Sequence, residues 1–177
     1  MKLFHLSDLH IGKRVNEFSM IEDQKYILKR ILDLAEEEKP DGIILAGDIY
    51  DKQIPSAEAV QVFDEFITRL AGRAIPVFII SGNHDSAERL AFGGRLLNSR
   101  GIYLSPVYDG SVTKIPLKDQ YGTVWIHLLP FIRPSTVRHV FENEADLVTD
   151  VQTAAETVIR HMEIDLKDRN ILVAHQF

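Results

Sequence analysis

Ile75-Pro76-Val77-Phe78-Ile79-Ile80-Ser81-Gly82-Asn83-His84-Asp85 is the stretch that decides the fold. An unbroken apolar run gives way in one step to small and polar residues. A short run of this kind, rich in β-branched residues, reads as a strand buried on both faces, which is the habit of parallel sheets. The same design recurs along the chain. Lys2 to Leu6 ends in Ser7-Asp8-Leu9-His10, and Gly42-Ile43-Ile44-Leu45-Ala46 ends in Gly47-Asp48. A fourth run, Ile171-Leu172-Val173-Ala174, ends in His175.

Helical patterns separate these runs. From Asp23 to Glu38, Ile27, Ile31, Leu34 and Glu38 recur at helical spacing, with Leu28, Leu32 and Ala35 alongside. Pro40 ends this segment, because the residue before a proline is pushed out of the α region. From Ser56 to Gly72, the residues Val60, Phe63, Ile67, Leu70 and Ala71 form a second stripe, with Ser56 placed to cap its start and Gly72 its end. From Ala145 to Met162, Leu147, Val151, Ala154, Ala155, Val158, Ile159 and Met162 form a third. Strand and helix in alternation predict a βαβαβ unit with right-handed crossovers. Between Gly101 and Leu129 the character changes. Ile102–Leu104, Ser111–Ile115 and Thr123–Leu128 are short strand candidates, and Asp109-Gly110 and Tyr121-Gly122 are turn signals. They predict antiparallel hairpins in a second sheet.

At 177 residues and 20.1 kDa the chain is one domain's worth of material. Hydrophobic residues make up 45% and charged residues 26%, which excludes a disordered, collagen-like or coiled-coil chain. There is no cysteine, so disulfides, thiolate zinc sites, iron–sulfur clusters and cysteine nucleophiles are excluded. No apolar run approaches the roughly 18 residues of a membrane span, and the opening MKLFHLSDLH is too polar for a signal peptide, so no membrane association and a cytoplasmic location are expected. The formal charge of −6 comes with no run of Lys and Arg. If the protein meets a polyanion, local charges or bound cations must attract it. Neither Gly-x-Gly-x-x-Gly nor a P-loop occurs.

In open α/β sheets, ligands bind outside the carboxyl ends of the strands. Those ends carry Asp8, His10, Asp48, Asn83, His84 and His175. All are oxygen or imidazole donors, a set that suits manganese, iron or zinc in a hydrolytic site. Each motif alone is weak: Gly-Asp is often a turn, Asn83 or Asp85 could cap a helix, and His175 could be a surface histidine. Their conjunction at one end of several strands points to a metal site. Asp8 and His10 can share an ion if the chain turns after the strand, and a carboxylate such as Asp48 has two oxygens with which to bridge two. Two ions about 3.5–4 Å apart clamp the attacking and leaving oxygens of a phosphoryl transfer. Elsewhere, His5 and His127 read as hydrogen-bonded core histidines, and His139 and His161 as surface residues. Lys13, Arg14, Lys52 and Arg89 follow the motifs, and read equally as contacts to DNA phosphates or as ordinary surface charge.

Asp8-x-His10, Gly47-Asp48 and Gly82-Asn83-His84-Asp85 resemble the first three signatures of the calcineurin-like metallophosphoesterases. In finer detail Ser7–Lys13, Ala46–Asp51 with Pro55-Ser56, Gly82–Ser86 with Arg89-Leu90, Leu128–Phe131 and Ala174–Phe177 are similar to the SbcD family of nuclease subunits within that group. The resemblance implies a four-layer αββα sandwich. It implies two divalent ions, manganese first, with Asp8 and His10 on one, Asp48 bridging, and Asn83 and His175 on the other. It makes His84 a catalytic group that steadies the scissile phosphate and protonates the leaving oxygen. Asp85, by inference, accepts the other ring proton of His84 and orients it. The implied activity is DNA phosphodiester hydrolysis, as a double-strand exonuclease and a single-strand and hairpin endonuclease in DNA repair, recombination and replication. DNA, an SbcC ATPase subunit and a second copy of the chain are the implied partners. The family's Gly-His-x-His signature, its cap and its partner-binding helices have no counterpart in residues 1–177, so the domain is expected to be truncated at its C-terminus, with weak metal loading. Two other readings stay open: a small-molecule phosphodiesterase of the same fold, and a metal-poor scaffold that binds a protein.

Overall fold

The computed structural model describes residues 1–177. In chain order the elements are β1 (Leu3–Leu6), β2 (Arg14–Val15), β3 (Phe18–Ser19), α1 (Ile21–Glu38), β4 (Gly42–Ala46), α2 (Ala57–Ala71), β5 (Val77–Ile80), α3 (Ala87–Leu90), α4 (Gly94–Asn98), β6 (Ile102–Leu104), β7 (Thr113–Asp119), β8 (Gly122–Leu128), α5 (Pro134–Val140), α6 (Val151–His161) and β9 (Arg169–Val173). The first sheet runs β1-β4-β5-β6, all parallel. The second runs β7-β8-β9, with β7 antiparallel and β9 parallel to β8.

The unbroken apolar runs follow from where these sheets sit. Successive side chains of a strand point to opposite faces. Ile43, Leu45, Val77 and Ile79 face α1 and α2 in one core, with Leu28, Leu32, Phe63 and Phe66. Ile44, Ala46, Phe78 and Ile80 face the other way, onto Val124, Ile126, Leu128 and Val173 of the second sheet. Both faces are dry, so neither set can be polar. Each fully buried Ile, Leu or Phe contributes about 1.5–3 kcal/mol of transfer free energy. A third core joins α5 and α6 to the end of β8 through Leu129, Ile132, Val137, Ala154 and Val158. The layers are therefore helices, sheet, sheet, helices.

Several local expectations are corrected. Ile102–Leu104 is not part of the second sheet. It pairs parallel with β5, and the crossover consists of α3 and α4, each too short to print a periodic stripe. The β9 run belongs to the second sheet, beside β8. α1 buries Ile21, Leu28, Leu32 and Ala35, whereas Ile27 and Leu34 are exposed. In α2, Val60 is exposed and Ala59, Val62 and Phe66 are buried instead. The segment from Ala145 to Met162 is not one helix. A 3-10 turn, Glu142–Leu147, precedes α6, which starts at Asp150 through a reciprocal capping box with Thr153. Leu147 is exposed in consequence. His5 is exposed rather than buried, because β1 is an edge strand. His127 is buried, with Nε2 bonded to Asn170 Oδ1 at 2.9 Å. The hairpin β2–β3 has no sequence-level counterpart; its turn puts Asn16 and Glu17 at positive φ.

Candidate metal centre

The carboxyl ends of β1, β4, β5 and β9 converge on one cleft of about 490 Å³, whose lining includes Asp8, His10, Asp48, Asn83, His84 and His175. Every metal-donor residue expected from the strand ends thus lies in one place. Asp48 is the hub and is 3% exposed. Its Oδ2 lies 3.6 Å from His10 Nε2 and 3.6 Å from His175 Nε2. His10 Nε2 is also 3.7 Å from Asp8 Oδ1. Asp48 Oδ1 accepts the backbone N–H of His84 at 2.9 Å. Oδ1 thus accepts a backbone amide, while Oδ2 is the oxygen that both imidazoles face.

The local backbone is shaped for this convergence. Asp8, His10 and Asp48 all have positive φ, at 58°, 43° and 50°. Non-glycine residues there cost about 1–3 kcal/mol each and persist only where the surroundings over-determine them. Parallel bonds continue past the strand ends: Asp8 N–H donates to Gly47 O (3.2 Å) and His10 N–H to Asp48 O (2.9 Å). Two glycines make room. A Cβ at Gly47 would stand 2.7 Å from the His175 ring, and one at Gly82 would stand 2.1 Å from Asp48 Oδ1.

Hydrogen bonds assign the imidazoles. His175 Nδ1 lies 2.8 Å from Ala46 O, so Nδ1 carries the proton and Nε2 presents a lone pair to the cleft. His84 Nδ1 lies 2.9 Å from Asp51 O, which again leaves Nε2 free. His10 Nδ1 is buried without a hydrogen-bond partner, and the nearest carboxylate, Asp51, is 3.6 Å away. The His10 and His84 rings meet edge-on at 4.8 Å.

Asp85 makes no hydrogen bond to the His84 ring, whose Nδ1 is taken by the Asp51 carbonyl, and this corrects its expected role. Its carboxylate is buried and accepts three backbone N–H groups, from Ile49 (3.1 Å), Tyr50 (2.9 Å) and Gly82 (2.8 Å). Burial pushes its pKa up, the three amides oppose the rise, and Asp48 adds to it. It fastens the exits of β4 and β5 to each other. The group that orients the His84 ring is the Asp51 carbonyl. Asp51 stands in the Gly47–Asp51 motif, but a backbone carbonyl leaves no signature in sequence. Ser7 Oγ bonds the Asp8 carboxylate and Ala46 O, another partner that sequence reading missed.

The donor set fits divalent cations. Two donors that share an ion at about 2.0–2.2 Å each sit roughly 3–3.6 Å apart. The separations around Asp48 Oδ2 are of that size and too long for hydrogen bonds. Two donor groups form around it, His10–Asp48–His84 and Asp8–Asp48–His175. Asp8 Oδ1 and His10 Nε2 are themselves 3.7 Å apart, so the pairing that the resemblance implies is also within reach of one ion, and His84 stands beside the donors. Lys13, Arg14, Lys52 and Arg89 are all exposed, and none lines the cleft.

A calcineurin-like phosphoesterase family model matches residues 1–176, and the chain belongs to that family of divalent-metal enzymes. The chain is 35% identical, over 99% of its length, to the SbcD component of the SbcCD nuclease of Staphylococcus epidermidis. It spans 46% of that relative's length. No helix is long and apolar enough to cross a membrane.

Proposed function

We propose that residues 1–177 form the metallophosphoesterase part of a DNA nuclease subunit of the SbcD type, which hydrolyses phosphodiester bonds with two divalent ions, manganese in the first instance. The observation that supports this reading is the single oxygen, Asp48 Oδ2, faced at 3.6 Å by imidazoles from two different sheets. Asp8, His10, Asp48, Asn83 and His175 are the proposed metal residues. Divalent cations in such a site supply Lewis acidity to a phosphoryl oxygen.

The chain's own groups do the rest. Asp48 Oδ2 holds the middle of the site, and the His84 amide keeps that carboxylate from turning. His175, tied to Ala46 O, keeps its Nε2 aimed inward. In its doubly protonated form, with Nδ1–H on the Asp51 carbonyl, the His84 ring would donate Nε2–H to a non-bridging phosphate oxygen and give up that proton to the leaving oxygen. Asp85 holds the loops that carry Asp48 and Asn83, and so acts on position rather than on the proton. Exonuclease action on duplex ends, endonuclease action on single strands and hairpins, a role in DNA end processing, an SbcC-type ATPase partner and a homodimer belong to the same proposal, supported by the similarity to the staphylococcal protein.

The test has two arms. Calorimetric titration of manganese into the 177-residue chain should give binding that Asp48→Asn abolishes. Duplex, hairpin and plasmid DNA are then compared with cyclic mononucleotides as substrates. Cleavage of DNA alone supports the nuclease reading. Turnover of cyclic nucleotides without DNA cleavage would move the assignment to a small-molecule phosphodiesterase, and a chain that binds no metal would leave only a protein-binding scaffold.

A further inference from the structure

Gln24 stands on the inner side of α1, one turn from buried Ile21 and Leu28, and is half-buried while Asp23 and Lys25 on either side are exposed. A glutamine in the apolar register of a helix needs polar partners, since burying an unpaired amide is unfavourable. Its partners are all in the turn that follows β1. Oε1 accepts the N–H of Gly12 at 2.9 Å, and Nε2 donates to the carbonyls of Leu9 (3.1 Å) and His10 (2.8 Å). One donor and two acceptors from the backbone leave the amide a single orientation. No other side chain bonds the backbone of residues 8–12.

That turn is the part of the site most in need of support. Asp8 and His10 both sit at positive φ. On one side the N–H groups of Asp8, His10 and Ile11 reach the β4 exit at Gly47, Asp48 and Ile49. On the other side the Leu9 and His10 carbonyls and the Gly12 amide meet only Gln24 and the Lys13 N–H. We infer that Gln24 is a positioning residue that clamps the Asp8–Gly12 turn into its metal-receiving shape, an inference that rests on the metal reading of the site. It touches no ion and no substrate. It acts through the directions in which the Asp8 carboxylate and the His10 ring leave the backbone.

The test compares three forms of the 177-residue chain: wild type, Gln24→Met, which keeps the length of the side chain and loses all three hydrogen bonds, and Asp150→Ala. The last removes the α6 N-cap, far along the chain and outside the cleft, and provides a loss of thermal stability unconnected with the turn. Amide hydrogen exchange reads the metal-free turn directly. Calorimetry reads manganese affinity, and the visible absorption of bound Co²⁺ at saturation reads the ligand geometry. In Gln24→Met the Gly12 amide should lose protection, manganese affinity should fall about 10–100-fold, the span seen when a group supporting a metal ligand is removed, and the cobalt bands should shift. Asp150→Ala should change none of the three. Unchanged Gly12 protection with unchanged affinity in Gln24→Met overturns the inference, as does an equal loss of affinity in Asp150→Ala, because the effect would then be one of stability alone. A wild-type chain without affinity for manganese, in which Gln24→Met still exposes Gly12, overturns the metal reading instead and leaves the clamp standing.

Discussion

Replacing Gly82 by alanine adds one methyl group at the most crowded point of the cleft. The new Cβ would lie 2.1 Å from Asp48 Oδ1, 2.3 Å from Asp48 N and 2.8 Å from Asp48 Cγ. None of these atoms can give way cheaply. Asp48 N is backbone at the exit of a fully buried strand, and Oδ1 is held by the His84 amide at 2.9 Å. Relief to ordinary contact needs a shift of about 1 Å in one of the two loops, and over-packing of this kind costs about 1–3 kcal/mol. Movement of Oδ1 also breaks its bond to the His84 N–H, a charge-assisted interaction of about 1.5–3 kcal/mol. Together they come to about 2.5–6 kcal/mol, which lowers the Tm of a chain this size by about 5–24 °C. Displacing Asp48 also removes the oxygen that both imidazoles face, so manganese affinity should fall more than about tenfold, or about 1.4 kcal/mol. Thermal unfolding followed by circular dichroism and calorimetric titration read the two effects. A Gly82→Ala chain that melts within about 2 °C of wild type and binds manganese unchanged would refute the crowding argument and the role of Asp48 as the hub.

Other outcomes follow from the same geometry. Asp85→Asn keeps the shape but turns an amino group toward at least one of the three N–H donors; urea unfolding should show a loss of about 1–3 kcal/mol, and a neutral result would remove Asp85 as the tie between β4 and β5. His175→Ala deletes the only donor brought by the second sheet, so manganese binding should weaken while the melting temperature moves little, because the ring is held by a single carbonyl. The Asp119 carboxylate is held well below the usual carboxylate range, first by its hydrogen bonds from Arg169 and also by the Tyr121 N–H and the Met1 amine. A depressed folded pKa stabilises above the unfolded pKa of about 4 and is lost as the pH falls below it. Asp119→Asn should therefore flatten the acid limb of the stability–pH curve, measured by urea midpoints from neutral pH to about pH 3. A limb as steep as in wild type would mean that this carboxylate contributes nothing to acid unfolding.

How much of this molecule is readable without coordinates depends on the kind of constraint involved. The three strands β1, β4 and β5 could be read because burial on both faces forces an unbroken apolar run, and the two long helices because a stripe and a proline or glycine stop leave marks in order along the chain. The strand-end donors were readable for a related reason: in a parallel sheet the carboxyl ends meet at one rim, so Asp8, His10, Asp48, Asn83, His84 and His175 could be nominated by position. Side chains facing solvent on a covered helix, such as Ile27, Leu34 and Val60, misled the reading, since periodicity does not say which of two adjacent stripes meets the sheet.

Three things were decided only by the packed molecule. The first is which oxygen of Asp48 faces the two imidazoles, the other being held by a backbone amide three dozen residues away along the chain. The second is the role of Asp85, which turned from the His84 ring to three amides because those amides surround it once β4 and β5 are side by side. The third is the support of the first turn by Gln24, a residue with no motif of its own. Composition and spacing register what a residue is and how often it recurs; they carry no record of backbone N–H and C=O groups, which are the same at every position. Where those groups point is set by the tertiary fold, and in this cleft they choose the tautomers, the free lone pairs and the carboxylate oxygen that faces both imidazoles.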